Sequence, residues 1–211
     1  MTKKTLKEQN QLGLTLLLVV NAVAFVGLLK LDVLFSGAWT ELWADIEKVA
    51  TGAVLPFLVG ILNGQVGADN KARLVFLRWQ HPLPGSRAFS HYLHRDPRLD
   101  PAAVERLVGD LPRDPVAQNR AWYAVYKTVK DVPEVADVHR HFLFARDYAT
   151  FAAMLFCVAA PLSFWLMPWR NAALYSILLV LQYLVASQAG RTYGTRFVTT
   201  VLAQAQAQSH G

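Results

Sequence analysis

Four uncharged apolar stretches are separated by polar ones, and their lengths set the first expectation. Residues 12–29 run 18 positions without a charge, interrupted by residues such as Gly13, Thr15 and Asn21. That length is close to what crosses the hydrocarbon of a bilayer as a helix. Lys3, Lys4 and Lys7 precede the run, and the small residues Ser36, Gly37 and Ala38 follow it. A cleaved signal peptide would share these flanks, but its apolar region is shorter, so a retained signal-anchor helix is the expectation. Residues 39–48 then set Trp39, Leu42, Trp43 and Ile46 against Glu41, Asp45, Glu47 and Lys48, the spacing of an amphipathic helix suited to the membrane interface.

A second span is expected over about 49–66, where Pro56 with Gly52, Gly60 and Gly64 points to a kinked helix with close neighbours, or to a re-entrant segment. Residues 148–169 form a third apolar run containing Pro161, and 172–190 a fourth whose notable polar residues are Gln182 and Ser187. The joint Pro168-Trp169-Arg170-Asn171 is short enough only for a tight hairpin, so the third and fourth runs are antiparallel.

Between the second and third runs lie about 80 charged and polar residues whose helices are marked by caps. Asp100-Pro101 and Asp114-Pro115 each place a capping carboxylate before a proline at the first helical position, where its missing amide costs nothing. They predict helices over about 101–109 and 115–130. Another helix begins near Pro133 and can run into the third span, and 69–80 can prolong the second span until Pro82-Leu83-Pro84-Gly85 forces a turn. No useful stretch alternates with period two, so no sheet is expected. The Ala-Gln tail over 203–208 reads as mobile, or helical at most.

The fold expectation is therefore an all-α integral membrane protein: four transmembrane helices with a helical cytoplasmic domain inserted between helices 2 and 3. Its parts are an N-terminal hairpin (1–66), a basic domain (67–146), a C-terminal hairpin (147–190) and a tail (191–211). Composition agrees, since 54% of residues are hydrophobic, 17% are charged and the mean hydropathy is +0.24, against roughly 45–50% apolar in soluble domains. Lysine and arginine then give the orientation. Eighteen fall in the first twelve residues, the middle segment and the tail, against three (Lys30, Lys48, Arg170) on the other side. Both termini and the middle domain are thus expected in the cytoplasm, with a bacterial inner membrane as the setting. The middle segment holds thirteen basic and ten acidic residues, a bias too mild to indicate nucleic acid.

Chemistry is harder to find. The single cysteine, Cys157, excludes an internal disulfide and reads as a small hydrophobe in an apolar run. His91 and His94 share a helix face beside Asp96, whereas His139 and His141 do not share one, and no HExxH glutamate or thiolate completes a set, so no metal is expected. Neither a phosphate-cradling glycine loop nor a nucleophile elbow is present, so no catalytic residue and no cofactor is assigned.

Three groups remain as candidate sites. Arg73, Arg78, Arg87, Arg95 and Arg98 interleave with Phe76, Trp79, Phe89 and Tyr92, a mixture that suits an anionic ligand, lipid headgroups, or a plain helical hairpin. Trp122, Tyr123 and Tyr126 form a stripe for a core or a partner. Asn21, Asn63, Gln65 and Gln182 are the membrane amides, able to line a pore or to join helices.

The leading functional expectation is an oligomeric sensor or effector, of a kind at home in bacterial stress or phage defence. In it the cytoplasmic domain binds a partner or anionic ligand, and the spans perturb or conduct through the membrane. The alternatives are a non-catalytic anchor for a soluble partner, and a lipid-acting enzyme using His91, His94 and Asp96. The absence of charge deep in any span argues against ion-coupled transport.

Overall fold

The computed structural model describes residues 6–31, 61–62 and 64–209. Among the described residues, the α-helices with defined bounds are α1 (Leu6–Leu29), α2 (Ala68–Phe76), α3 (Pro101–Val108), α4 (Pro115–Val129), α5 (Pro133–Leu166) and α6 (Trp169–Gln208). A 3₁₀ turn (Pro84–Arg87) runs into a π turn (Ala88–Tyr92) between α2 and α3. Among the described residues there is no strand. Three helices, α1, α5 and α6, are long and apolar enough to cross a membrane. The amphipathic stretch 39–48 and the second span, including Asn63, lie outside the described residues except for the end of that span.

The two aspartate caps act as expected. The Asp100 carboxylate accepts from the Ala102 amide at 3.0 Å and that of Asp114 from the Ala117 amide at 2.8 Å. Helix α2 stops at Phe76, earlier than the expected 80, because Leu77 turns left-handed (φ 51°) while its amide still donates to the Arg73 carbonyl at 2.8 Å. Helix α6 runs through Gly190 and Gly194 to Gln208, so the expected tail is helix throughout its described length.

The chain divides into two compact units: one joins α1 to Asp147–Ala186, the other joins Ala68–Arg146 to the chain from Ser187 onward. In the first unit, Ala160, Tyr175 and Leu179 form a small core to which Ala24, Phe25 and Leu28 of α1 add. Phe25 meets Tyr175 edge-on at 5.3 Å, and the Asn171 amide donates to the Leu28 carbonyl at 3.0 Å. Large apolar side chains on all three helices, among them Val20, Trp165 and Val185, are exposed.

The second unit has an aromatic core. Trp122 is buried, meets Phe197 edge-on at 5.2 Å, stacks with Tyr126 and donates from its indole to the Val198 carbonyl at 3.4 Å. Phe197, Val198, Val201, Leu202 and Ala205 bury one face of α6 in this core. Burying side chains of this size contributes about 1.5–3 kcal/mol each. Glycines set the close approaches: a Cβ on Gly190 would stand 2.8 Å from Val75, and one on Gly194 would stand 2.7 Å from Phe76.

Candidate functional site

The cavity of interest lies within the second unit and begins with a turn that one side chain holds in place. Gly85 packs so tightly on α4 that a Cβ would meet Asn119 at 2.5 Å and Trp122 at 2.6 Å. Beyond it, the buried Gln118 carbonyl accepts from the Phe89 amide (3.2 Å), the Ser90 amide (3.1 Å) and the Ser90 hydroxyl (3.1 Å). Its own amide donates to the Arg113 carbonyl at 2.9 Å. A π turn leaves amides without regular helical acceptors, and this side chain supplies the acceptor.

The anchored turn and the loop after it bring Arg87, His91, Tyr92, Arg95, Asp96 and Arg98 to the wall of a cavity of about 590 Å³. Phe76 and Arg78 add the end of α2, and α6 adds Arg191, Thr195, Arg196 and Thr199. Positions 191, 195 and 199 recur every four residues and so share a helix face. Six guanidiniums therefore surround one carboxylate, and no lysine lines the cavity.

Asp96 and Arg98 are paired in a fork: Arg98 Nε donates to Oδ1 at 3.0 Å and Nη2 to Oδ2 at 2.7 Å, with the Arg98 amide adding a bond of 3.1 Å. These bonds hold the Asp96 carboxyl far below the usual carboxylate range and raise the Arg98 pKa. Arg98 Nη2 also reaches the Thr199 hydroxyl at 3.2 Å. On the other side, Arg87 donates to the Tyr92 hydroxyl at 2.9 Å and lies 5.2 Å from the centre of that ring, while its Nε is buried without a hydrogen-bond partner.

Burial, and then the neighbouring Arg78 and Arg95 charges, lower the Arg87 pKa against the opposing influence of Tyr92. An arginine nevertheless stays protonated. Burial, followed by Arg95, Arg87 and Arg78, also pushes the His91 pKa down, so its imidazole is neutral at neutral pH. Among the described residues, Arg78, Arg95 and Arg196 form no ion pair.

Four of the five arginines singled out by sequence thus converge on one cavity. Arg73 does not: its Nε donates to the Trp79 carbonyl at 3.1 Å and its Nη1 to Asn70 at 2.6 Å. Sequence reading missed Arg191 and Arg196; the signal for Arg191 was the Arg-x-x-x-Thr-x-x-x-Thr spacing over 191–199.

The aromatic stripe is divided by its surroundings. Trp122 is core, Tyr126 is half-buried with its hydroxyl 3.1 Å from His139 Nδ1, and Tyr123 is exposed under Lys127. Asn21 donates to the Leu17 carbonyl of its own helix at 2.8 Å, Gln182 donates to the Tyr148 hydroxyl, and Gln65 is exposed. His94 is exposed, away from the cavity wall that His91 lines. Among the described residues no three His, Cys, Asp or Glu side chains gather as metal ligands. Comparison with family models, curated proteins and solved structures finds no match to the chain.

Proposed function

We propose that this chain is a four-span membrane protein of the bacterial inner membrane, with both termini and the domain between spans two and three in the cytoplasm. It acts as a homo-oligomeric sensor or effector: an anionic ligand occupies the arginine cavity, and the spans answer by perturbing or conducting through the membrane. The observation carrying this reading is the set of six arginines around the single carboxylate of Asp96. Like charges gathered along one wall repel one another, and a bound anion offsets that repulsion. The anchor reading has less support, because Trp122, the largest member of its proposed docking stripe, is buried. The lipid-enzyme reading is weakened by the exposed His94 and by the engagement of Asp96 with Arg98.

The test is membrane potential and small-ion leakage on controlled expression. Wild type is compared with Asn63→Leu/Gln65→Leu, aimed at the spans, and with Arg95→Gln/Arg196→Gln, aimed at the cavity. Leakage in wild type that both variants abolish supports the proposal. No leakage in wild type, or leakage that ignores both variants, overturns it and leaves the anchor.

A further inference from the structure

Building on the reading of the cavity as a ligand site, we infer that its ligand carries at least two phosphate groups, one of which competes with Asp96 for Arg98. Size gives the first argument. A cavity of about 590 Å³ is in the range that encloses a drug-sized molecule, and a single oxyanion would leave most of it unfilled. Charge gives the second. One phosphate would compensate only part of six guanidiniums and one carboxylate, leaving the rest to repel one another.

Arrangement gives the third. Arg78, Arg87 and Arg95 line the same wall as His91. Asp96 forms its ion pair with Arg98, and the buried Nε of Arg87 still lacks an acceptor. That is one oxyanion position, supplied with donors. The other is built around Arg98, whose fork already grips a carboxylate at 3.0 and 2.7 Å beside the Thr199 hydroxyl. Arg196 contributes its backbone carbonyl to the same Thr199 hydroxyl at 3.4 Å. Two parallel N–H bonds to a planar acid are also the way guanidinium holds phosphate, and a cavity lined by arginine without lysine is suited to such paired contacts. Asp96 therefore stands where a phosphate would be held, and an incoming phosphate competes with it for Arg98.

Adjacent phosphates occur in soluble nucleoside polyphosphates and in lipids such as cardiolipin. The chemistry is shared, and the experiment separates the sources. The full chain in phosphatidylcholine nanodiscs is titrated calorimetrically with inorganic phosphate and with pyrophosphate at fixed ionic strength. Pyrophosphate is expected to bind at least about tenfold more tightly, a difference of about 1.4 kcal/mol. Arg95→Gln and Arg98→Gln, one variant for each half of the cavity, are each expected to erase that preference while still showing a cooperative melting transition. Asp96→Asn is expected to tighten inorganic phosphate severalfold by removing the internal competitor.

Displacement of bound pyrophosphate by ATP, or by cardiolipin added to the nanodiscs, supports the inference and identifies a soluble or a lipid source respectively. Displacement by neither overturns it. Equal affinity for phosphate and pyrophosphate overturns this inference while the anion cavity stands. Failure of wild type to bind either anion overturns both.

Discussion

Helix α6 has two halves with opposite surfaces. Over 169–186 only Tyr175 and Leu179 among its large apolar side chains are buried, whereas Ile177, Leu181 and Val185 are exposed, the last at 70%. Over 187–208 they face inward: Phe197 is 4% exposed, Val198, Val201 and Leu202 are fully buried, and Gln188, Thr192 and Arg196 are outside. No helix terminator separates the halves. One hydrogen-bonded rod thus serves two surroundings, the first half requiring a cover without water and the second requiring water itself. The lesson is that solvent, read from side-chain burial, marks a boundary that backbone conformation does not.

The largest effect should come from breaking the inward half. Phe197→Ala is expected to cost about 3–5 kcal/mol of unfolding free energy in a chemical denaturation series, whereas Leu178→Ala on the outward half should change the same measurement by less than about 1 kcal/mol. Comparable losses at both positions would show that the two halves share one kind of surrounding. Charge sharpens the contrast. Leu178→Arg should oppose membrane insertion by about 2.5–3.5 kcal/mol in a glycosylation-mapped insertion assay, and Gln188→Arg should leave insertion unchanged.

Next in size is the polar clamp of the second unit. Gln118→Leu strands the Phe89 and Ser90 amides, so thermal unfolding should show a loss of about 2–3 kcal/mol, with anion binding lost as the turn relaxes. The smallest effect is the one set by pH. Asp96 has a folded pKa well below its unfolded value, so its stabilisation is present above the ordinary carboxylate range and is lost as pH falls below about 4. His91 also has a lowered folded pKa. It therefore adds an acid-side loss that starts earlier, below about 6.5, where the unfolded chain takes up a proton first. Asp96→Asn should flatten the lower limb of a stability-against-pH curve and leave the upper limb, and His91→Gln should do the reverse.

What the sequence made legible was local. Asp100-Pro101 and Asp114-Pro115 announce their helices because a cap and the proline after it act within one turn. The apolar lengths of α1, α5 and α6 announce membrane-length helices for the same reason. The end of α6 was not legible, because the apolar run that marks its first half ends at Gly190 while the helix continues. A glycine inside a helix costs about 1 kcal/mol, and here it gives Val75 a close seat. The cavity was half legible. Arg78, Arg87, Arg95 and Arg98 lie together in the chain, whereas Arg191 and Arg196 arrive from a helix more than ninety residues away. The aromatic stripe shows the same limit, since spacing places Trp122 and Tyr123 side by side but only packing makes one core and the other surface.

The clamp at Gln118 also restricts which sequences can build this wall. Its acceptor serves three donors of the π turn while its donor reaches the Arg113 carbonyl. Glutamate would forfeit the donation, lysine or arginine the acceptance, and asparagine is one methylene short. Among the amide and charged side chains, only glutamine meets both demands at position 118. In divergent chains that keep the Phe89-Ser90 turn, that glutamine should persist, and in those that rebuild the turn it should be free to drift.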